Sequence, residues 1–585
     1  MDTARFLSGN MFDAYKYMGC HICYGGAFFR VYAPNAKKVT LTGDFNLWGE
    51  TEMTRTYLGF WEVFSPEAKV GMMYKYKVYY RDTVVDHCDP FGFAMEKLPG
   101  FASVIYDTEA YRFDDKKWMD SRTDCKDKPL NIYEVHAGSW KKPEGGCYSY
   151  RELAEKLIPY VKNAGYNYIE FMPLSEYPCD SSWGYQGTGF YSPTSRYGDP
   201  DELKFLVDNC HKNGIGVILD YVPVHFAIDY YGLAYFDGSH LYEYPNDAIG
   251  YNEWGSKNFN HARGEVRSFL KSAANYFLTE YHFDGIRIDA LSNIIYWQGR
   301  EERGENRQAV NFIRELNSGL KGLHPTAILA AEDSTSYPGV TKPVPEGGLG
   351  FDYKWAMGWM HDTLDYFKAG VGERKSKYHK LTFSMIYFYN ENYIMPLSHD
   401  EVVHGKATIM QKMHGLYGEK FQQARAMYLY MYAHPGKKLN FMGNEIGQLR
   451  EWDETREQDW DMLKYPMHDS FALFMRELSN IYLSTPALYE RDHEYGGFSW
   501  IDCEQKGDCA YAFNRWGESD RLIALFNFSY EEKVYALELD SDFETLIDSD
   551  WDKYSGNSKT EKKIYKKGKT TVRLAPFSGK YLAKK

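Results

Sequence analysis

The chain has no uninterrupted apolar run near the roughly 20 residues that a membrane-spanning helix requires, although 44% of its 585 residues are hydrophobic. No membrane-spanning segment and no membrane partner are expected. Its opening stretch, MDTARFLSGNMFDAYKYMGCH, lacks the basic flank and apolar core of a secretory leader, and a cytoplasmic location is expected. Positive charge is also in deficit: 68 Lys and Arg against 81 Asp and Glu leave a formal net charge of −13. That balance argues against nucleic acid as a partner and suits a neutral substrate. Cysteine is sparse, nine residues scattered along the chain and mostly within apparent core segments, so free thiols in a reducing compartment are expected rather than a disulfide framework. The spacing CHIC, with Cys20, His21 and Cys23, has no second ligand pair nearby and reads as structural rather than as half a zinc site. Internal repeats and low-complexity tracts are absent.

Aromatic residues are abundant, at 17% with 52 tyrosines and 14 tryptophans. Such rings stack on the apolar faces of sugars, and they also fill ordinary cores. The length exceeds what one core supports, so two to four domains are expected. Through residue 115 short alternating runs (AFFRVYAP, KVTLTGDF, WEVFSP, YKYKVYY), separated by turns, predict a small β-sandwich after a leading segment. Residues 116–128 read as an exposed charged linker. From 129 to 487, apolar runs alternate with amphipathic segments such as YRELAEKLIPYVKNAG and PDELKFLVDNCHKNG, which predicts a parallel sheet covered by helices. A region that long favours a closed (β/α)8 TIM barrel over an open sheet. Residues 488–585 return to alternation (CAYAFNRW, LIALFNF, KVYALEL) and predict a carboxyl-terminal all-β domain.

Four of the barrel's apolar runs end in polar groups. VILDYVPVHF supplies Asp220 and His225, GIRIDAL supplies Arg287 and Asp289, AILAAED ends in Glu332, and MPLSHDEVVHGK carries His399 and Asp400. In a TIM barrel the carboxyl ends of different strands converge on one mouth. Taken singly, Asp220 could cap a loop, Glu332 could open a helix, and His399 with Asp400 could form a local hydrogen bond. Four strand ends behaving alike point to a site, and paired carboxylates there suit glycosidic chemistry, with one attacking and one protonating the leaving oxygen.

The motifs DYVPVH, GIRIDAL, AAED and LSHDE resemble the four signature regions of the α-amylase superfamily, and FMPLSEYP resembles its additional region. Longer stretches, YEVHAGSW, WGYQGTGFYSP, FDYKWAMGWMHDTLDYF, LSHDEVVHGK and FMGNEIGQLREW, resemble those of its 1,4-α-glucan branching enzymes. The likeness extends to FRVYAPNAKKVTLTGDFNLW, similar to the carbohydrate-binding module that precedes such barrels. It implies Asp289 as nucleophile, Glu332 as general acid/base and Asp400 as the third carboxylate. It further implies substrate-binding roles for His225 and His399 as donors to sugar hydroxyls and for Tyr185 as a platform beneath the ring, with Asp220 ordering the rim. Arg287 is expected to orient Asp289 and keep it ionised, while Glu332 begins protonated. Trp183 and Gln186 of WGYQ join the substrate-binding set, loop packing being a strong competitor for Trp183; Tyr191 is left open.

The resemblance implies cleavage of an α-1,4 linkage and transfer of the chain to a 6-hydroxyl of glycogen, amylose or amylopectin, with no cofactor and no metal. Val224 stands where many amylases carry a calcium-ligating asparagine, and it offers no oxygen to a hard cation. YWQGREERGENRQAVNF is shorter than its usual branching-enzyme counterpart. Rival readings are an amylase or debranching hydrolase of the same superfamily, a trehalose-forming hydrolase, and an inactive glucan-binding scaffold. For Trp48 in GDFNLWG, glucan contact and interdomain packing are equally open.

Overall fold

In the computed structural model, which describes residues 1–144 and 146–585, eight apolar runs of the middle region close into one parallel barrel. Its strands are β1 (Asn131–Val135), β2 (Tyr168–Phe171), β3 (Gly216–Tyr221), β4 (Gly285–Ile288), β5 (Ile328–Ala331), β6 (Tyr353–Trp355), β7 (Tyr393–Leu397) and β8 (Lys437–Phe441). They pair in chain order, and β8 closes on β1. Side chains alternate across a strand. One inward layer, Ile132, Tyr168, Ile218, Ile328, Tyr353, Ile394 and Leu439, forms a buried apolar cluster. Two residues further along the same phase stand Glu134, Glu170, Asp220 and Arg287, all buried. Strands β1 to β3 are thus apolar at the base and polar at the carboxyl end, while on β4 Gly285 stands two residues before Arg287.

Helices α1 (Tyr150–Asn163), α2 (Pro200–Lys212), α3 (Gly264–Glu280) and α4 (Arg307–Leu323) follow β1 to β4. Helices α5 (Met357–Lys368), α6 (Tyr417–Ala433) and α7 (Pro466–Ser484) follow β6 to β8. Local signals start them where expected: Ser149 and Glu152 form a capping box on α1, and Asp199 caps α2 ahead of Pro200. The β5–β6 connection departs from the alternation. It carries Pro338, Pro343 and Pro345, each without a backbone donor, and among the described residues it holds only a 3-10 turn, Val344–Glu346.

The amino-terminal strands form two facing sheets, one built on Gly26–Tyr32 and Phe60–Ser65, the other on Lys38–Gly43 and Met73–Tyr80. Phe29 meets Tyr74 between them at 5.0 Å. The leading segment docks on α3, where Ser268 donates to the Phe6 carbonyl and Lys271 to that of Gly9. The carboxyl-terminal sheet packs on α6. That helix, YGEKFQQARAMYLYMYA, is buried from Gln423 to Ala433 because it lies between the barrel and the β domain. Among the described residues no helix is long and apolar enough to cross a membrane.

Two expectations need correction. The segment read as an exposed linker is mostly exposed but tethered: it holds a helix, Lys116–Ser121, and Trp118 donates to Asp284 at 2.8 Å. Just before it, Asp115 is buried and accepts from His211 (2.7 Å) and His282 (2.8 Å). Its polar composition concealed this because the anchors are charged pairs, with Phe113 and Trp118 stacked on the two histidines. Nor are the cysteines mostly core residues. Cys20, Cys88, Cys210 and Cys509 are buried, whereas Cys23, Cys147 and Cys179 lie exposed at a strand end and in loops; all nine are free.

His211 lies between two carboxylates, with Nε2 on Asp284 at 2.9 Å. Burial disfavours its charge, but the hydrogen bonds to Asp115 and Asp284 outweigh burial and raise the imidazole to about 8. A folded value above the free value of 6.5 gives stability that is complete below pH 6.5 and lost as pH rises through 8. The loss amounts to about 2 kcal/mol. The thermal midpoint of the natural protein should therefore fall more steeply between pH 6.5 and 8.5 than that of a His211→Gln variant; parallel calorimetric curves would contradict this.

Candidate active site

Arg287 is the hub of the barrel mouth. Its side chain is fully buried and packs over the Trp355 ring, 4.3 Å from the centroid. One terminal nitrogen, Nη1, donates to Asp220 Oδ2 at 2.6 Å and to Asp289 Oδ1 at 2.8 Å. The other, Nη2, donates to Glu332 Oε2. Asp289 and Glu332, from β4 and β5, thus sit on adjacent nitrogens of one guanidinium. The Ala290 N–H also donates to Glu332 at 3.2 Å. Ala290 adopts φ 46° and ψ 45°, a left-handed conformation uncommon for a residue with a Cβ. That turn swings the chain away directly after Asp289 and aims the amide at Glu332.

Above the hub lies a cavity of about 330 Å³ lined by Trp183, Tyr185, Gln186, His225, Trp254, Asp289, Ala290, Glu332, His399, Asp400 and His404, with Ser181 and Ser182. The Tyr185 ring stacks on His399 at 5.7 Å and 25°, and its hydroxyl donates to Asp220 at 2.6 Å. Trp183 stacks on His404 at 5.3 Å and 22°, while its indole N–H donates to Glu454. Gln186 Nε2 donates to the Trp254 carbonyl at 3.0 Å, holding the loop that places the Trp254 ring 5.3 Å from His225. Two larger hollows, about 500 and 750 Å³, flank the β5–β6 connection and contain neither Asp289 nor Glu332 in their walls.

The electrostatics follow from six carboxyl groups (Glu134, Glu170, Asp220, Asp289, Glu332, Asp400) gathered with two cationic side chains, Arg287 and His399. Burial pushes Asp289 well above the usual carboxylate range, Arg287 pulls it back, and Glu332, Asp220 and Asp400 add to the rise. Burial raises Asp220 too, against Arg287. Arg287 thus favours the ionised form of Asp289, as expected, but its guanidinium is divided among three carboxyls and burial outweighs it. Asp400 is the exception, since His399 and then Arg287 outweigh its burial and lower it. Burial also works against charge on His399, but Glu134 and then Asp400 overcome it and raise the ring to about 9. Burial lowers His225 to about 4. At neutral pH His399 is an imidazolium and His225 a neutral imidazole.

Of the residues singled out in the sequence, Asp289, Glu332, Asp400, Tyr185, Trp183, Gln186, His225 and His399 line the cavity. Asp220 and Arg287 do not. They lie one layer below, 3% and 0% exposed, bonded to the lining groups rather than open to a ligand. Tyr191, left open, is fully buried and donates to the Phe269 carbonyl at 2.7 Å. Val224 is buried as well. Trp254, His404 and the buried Glu134 were missed. A tryptophan beside glycine in YNEWGS was the available signal for the first; His404 lay inside the quoted LSHDEVVHGK.

Comparison with known proteins fits this geometry. Family models match residues 17–92 (carbohydrate-binding module 48, isoamylase N-terminal domain), 150–254 (alpha amylase, catalytic domain) and 500–585 (alpha amylase, C-terminal all-beta domain). A putative alpha amylase from Salmonella typhimurium shares the fold with a TM-score of 0.75 at 18% identity, covering 97% of this chain and all of that one. A pullulanase from Anoxybacillus, solved with maltotetraose, does so with a TM-score of 0.75 at 17% identity, covering 100% and 89%. The 1,4-alpha-glucan branching enzyme GlgB of Fusobacterium nucleatum is 44% identical over 580 residues, 97% of this chain and 94% of that one. The GlgB of Bacillus caldolyticus is 42% identical over 574 residues, 95% and 86% of the two chains. With such identity sustained over nearly its whole length, the chain belongs to the 1,4-α-glucan branching enzyme family of the α-amylase superfamily.

Proposed function

We propose that the protein cleaves an α-1,4 linkage of a linear glucan and transfers the released chain to a 6-hydroxyl, making an α-1,6 branch in glycogen or in an amylose or amylopectin chain. The observation that carries this reading is the pair Asp289 and Glu332 on adjacent nitrogens of Arg287, at the floor of a cavity walled by aromatic rings. A retaining double displacement needs its two carboxyls roughly 5–5.5 Å apart, and one shared guanidinium keeps them close.

In the first half-reaction Asp289 attacks the anomeric carbon while Glu332 protonates the departing oxygen, leaving a covalent β-glycosyl enzyme. Asp289 must be bare and Glu332 protonated at that moment. Because both touch Arg287, placing the cluster's proton on Glu332 leaves the charge around the guanidinium unchanged. Tyr185 lies beneath the ring, held by Asp220. Asp400 and the charged His399 bind hydroxyls of the same sugar, and neutral His225 adds a third contact. In the second half-reaction Glu332 takes the proton of the incoming 6-hydroxyl, which attacks the anomeric carbon and frees Asp289 with net retention. Orientation of that hydroxyl lets it outcompete water. We assign residues 1–115 to the carbohydrate-binding region, 116–128 to the connecting segment, 129–487 to the catalytic barrel and 488–585 to the carboxyl-terminal domain. Trp48, 42% exposed on the first of these, is available to hold polymer. The acidic surface and nine free thiols suit a cytoplasmic enzyme.

Amylose incubated with the protein should lose iodine absorbance with little new reducing sugar, and later debranching should release new chains; steady release of reducing ends would mark a hydrolase instead. Asp289→Asn should abolish turnover yet keep amylose binding, and undiminished turnover would exclude Asp289 as nucleophile. Arg287→Leu leaves three carboxyls without their cation and should destabilise the barrel by about 3–5 kcal/mol in denaturant unfolding, where a loss below 1 kcal/mol would show that the hub is dispensable.

A further inference from the structure

Glu134 and Glu170 are register neighbours on β1 and β2, strands that lie about 4.8 Å apart. Both point inward and each is 1% exposed. Two carboxylates that close in a dry layer cannot both carry charge, and their partners decide which one does. Glu134 accepts twice from a single residue: the His399 backbone N–H donates to Oε2 at 2.9 Å and the imidazole Nδ1–H to Oε1 at 2.5 Å. Glu170 has no hydrogen-bond partner on either oxygen among the described residues. Burial first, and the charge of Glu134 second, hold its carboxyl well above the ordinary range. The two donors both serve Glu134, and burial favours the neutral acid at Glu170 beside it.

The consequence appears on the far side of the ring. His399 Nε2 faces the cavity between the Tyr185 hydroxyl at 3.4 Å and Asp400 Oδ1 at 3.6 Å. The first is a long, weak hydrogen bond and the second exceeds one, so the Nε2–H is loosely held and can turn to a ligand hydroxyl. The ionisable groups around the ring come from every neighbouring element: Glu134 and His136 from β1 and its end, Glu170 from β2, Tyr185 from the β2–β3 connection, Asp220 from β3, Arg287 from β4, and Asp400 beside it. Burial and Arg287 oppose a charged ring; Glu134 and Asp400 favour it and prevail.

We infer that Glu134 is a positioning residue for glycosyl transfer, gripping His399 by backbone and ring together so that an imidazolium presents its Nε2–H to a sugar hydroxyl beside Asp400. Glu170, as the uncharged neighbour, keeps that grip from being weakened by a second buried anion. The kinetic consequence rests on the transfer reaction proposed above; the grip itself does not.

Glu134→Gln keeps the shape, removes the charge and turns one acceptor into a donor facing the His399 N–H. In 15N-histidine NMR of the full chain without substrate, His399 should titrate near 9 and fall by about one pH unit or more in the variant. On amylose, kcat should drop by about tenfold to a hundredfold, its basic limb should move to lower pH, and KM should stay within about threefold. Added to His399→Gln, Glu134→Gln should cost nothing further, because the two act through one interaction. A natural protein whose His399 titrates below 7 would overturn the inference, and this holds even if the variant fails to fold. So would an equal kinetic loss from Glu134→Gln with and without His399, the mark of a purely structural role. Should the natural protein release reducing ends rather than form branches while His399 still responds to Glu134→Gln, the reaction assignment fails and the grip stands.

Discussion

One buried guanidinium shared by three carboxyl groups is the constraint around which this barrel is organised. Removing Arg287, Asp220, Asp289 and Glu332 from water carries a desolvation penalty of several kcal/mol per ion before any attraction is counted. The hydrogen bonds at both ends of the guanidinium and the Trp355 ring beneath it offset part of that. Because the cation is divided, it offsets only part of the burial that raises Asp220 and Asp289. A reaction that needs one bare and one protonated carboxyl can begin from such a cluster with only a shift of proton position.

The strands divide the two tasks along their length. Their inward bases, Ile132, Ile218, Ile328, Ile394 and Leu439 among them, form a dry apolar layer. Their inward tops hold the charged groups that this layer must support. A polar layer of that density needs a rigid surround. The carboxyl-terminal sheet supplies part of it by covering α6, where Tyr581 donates to the Leu429 carbonyl and Arg515 to that of Ala433. The amino-terminal segment does the same on α3. No α-helix lies between β5 and β6 among the described residues, and two hollows of about 500 and 750 Å³ flank that connection.

Charge pairing recurs away from the mouth as the means of attaching polar segments. Asp115, His211, His282 and Asp284 tie the segment before the barrel to α2 and to the start of β4, with Phe113 and Trp118 stacked on the histidines. At the mouth the same chemistry serves geometry: a carboxylate behind His399 fixes which nitrogen faces the cavity, as an orienting acid does for many catalytic histidines.

The sequence by itself determined the eight strands, the first three covering helices and the carboxyl-bearing strand ends, because period-2 and period-3.6 patterns are local properties of the chain. It also placed Asp289, Glu332 and Asp400 in one site, since strand ends of a parallel barrel share a mouth. Tertiary structure alone decided what those residues experience. That Asp220 and Arg287 lie below the cavity rather than in its wall depends on layer depth, which alternation does not encode. That Asp289 is pushed upward despite its arginine depends on burial and on how many carboxyls share the cation, a count spread over residues 220–332. The anchoring of Asp115 and the grip of Glu134 on His399 join residues far apart in the chain through polar contacts, and a pattern of apolar positions carries no trace of them.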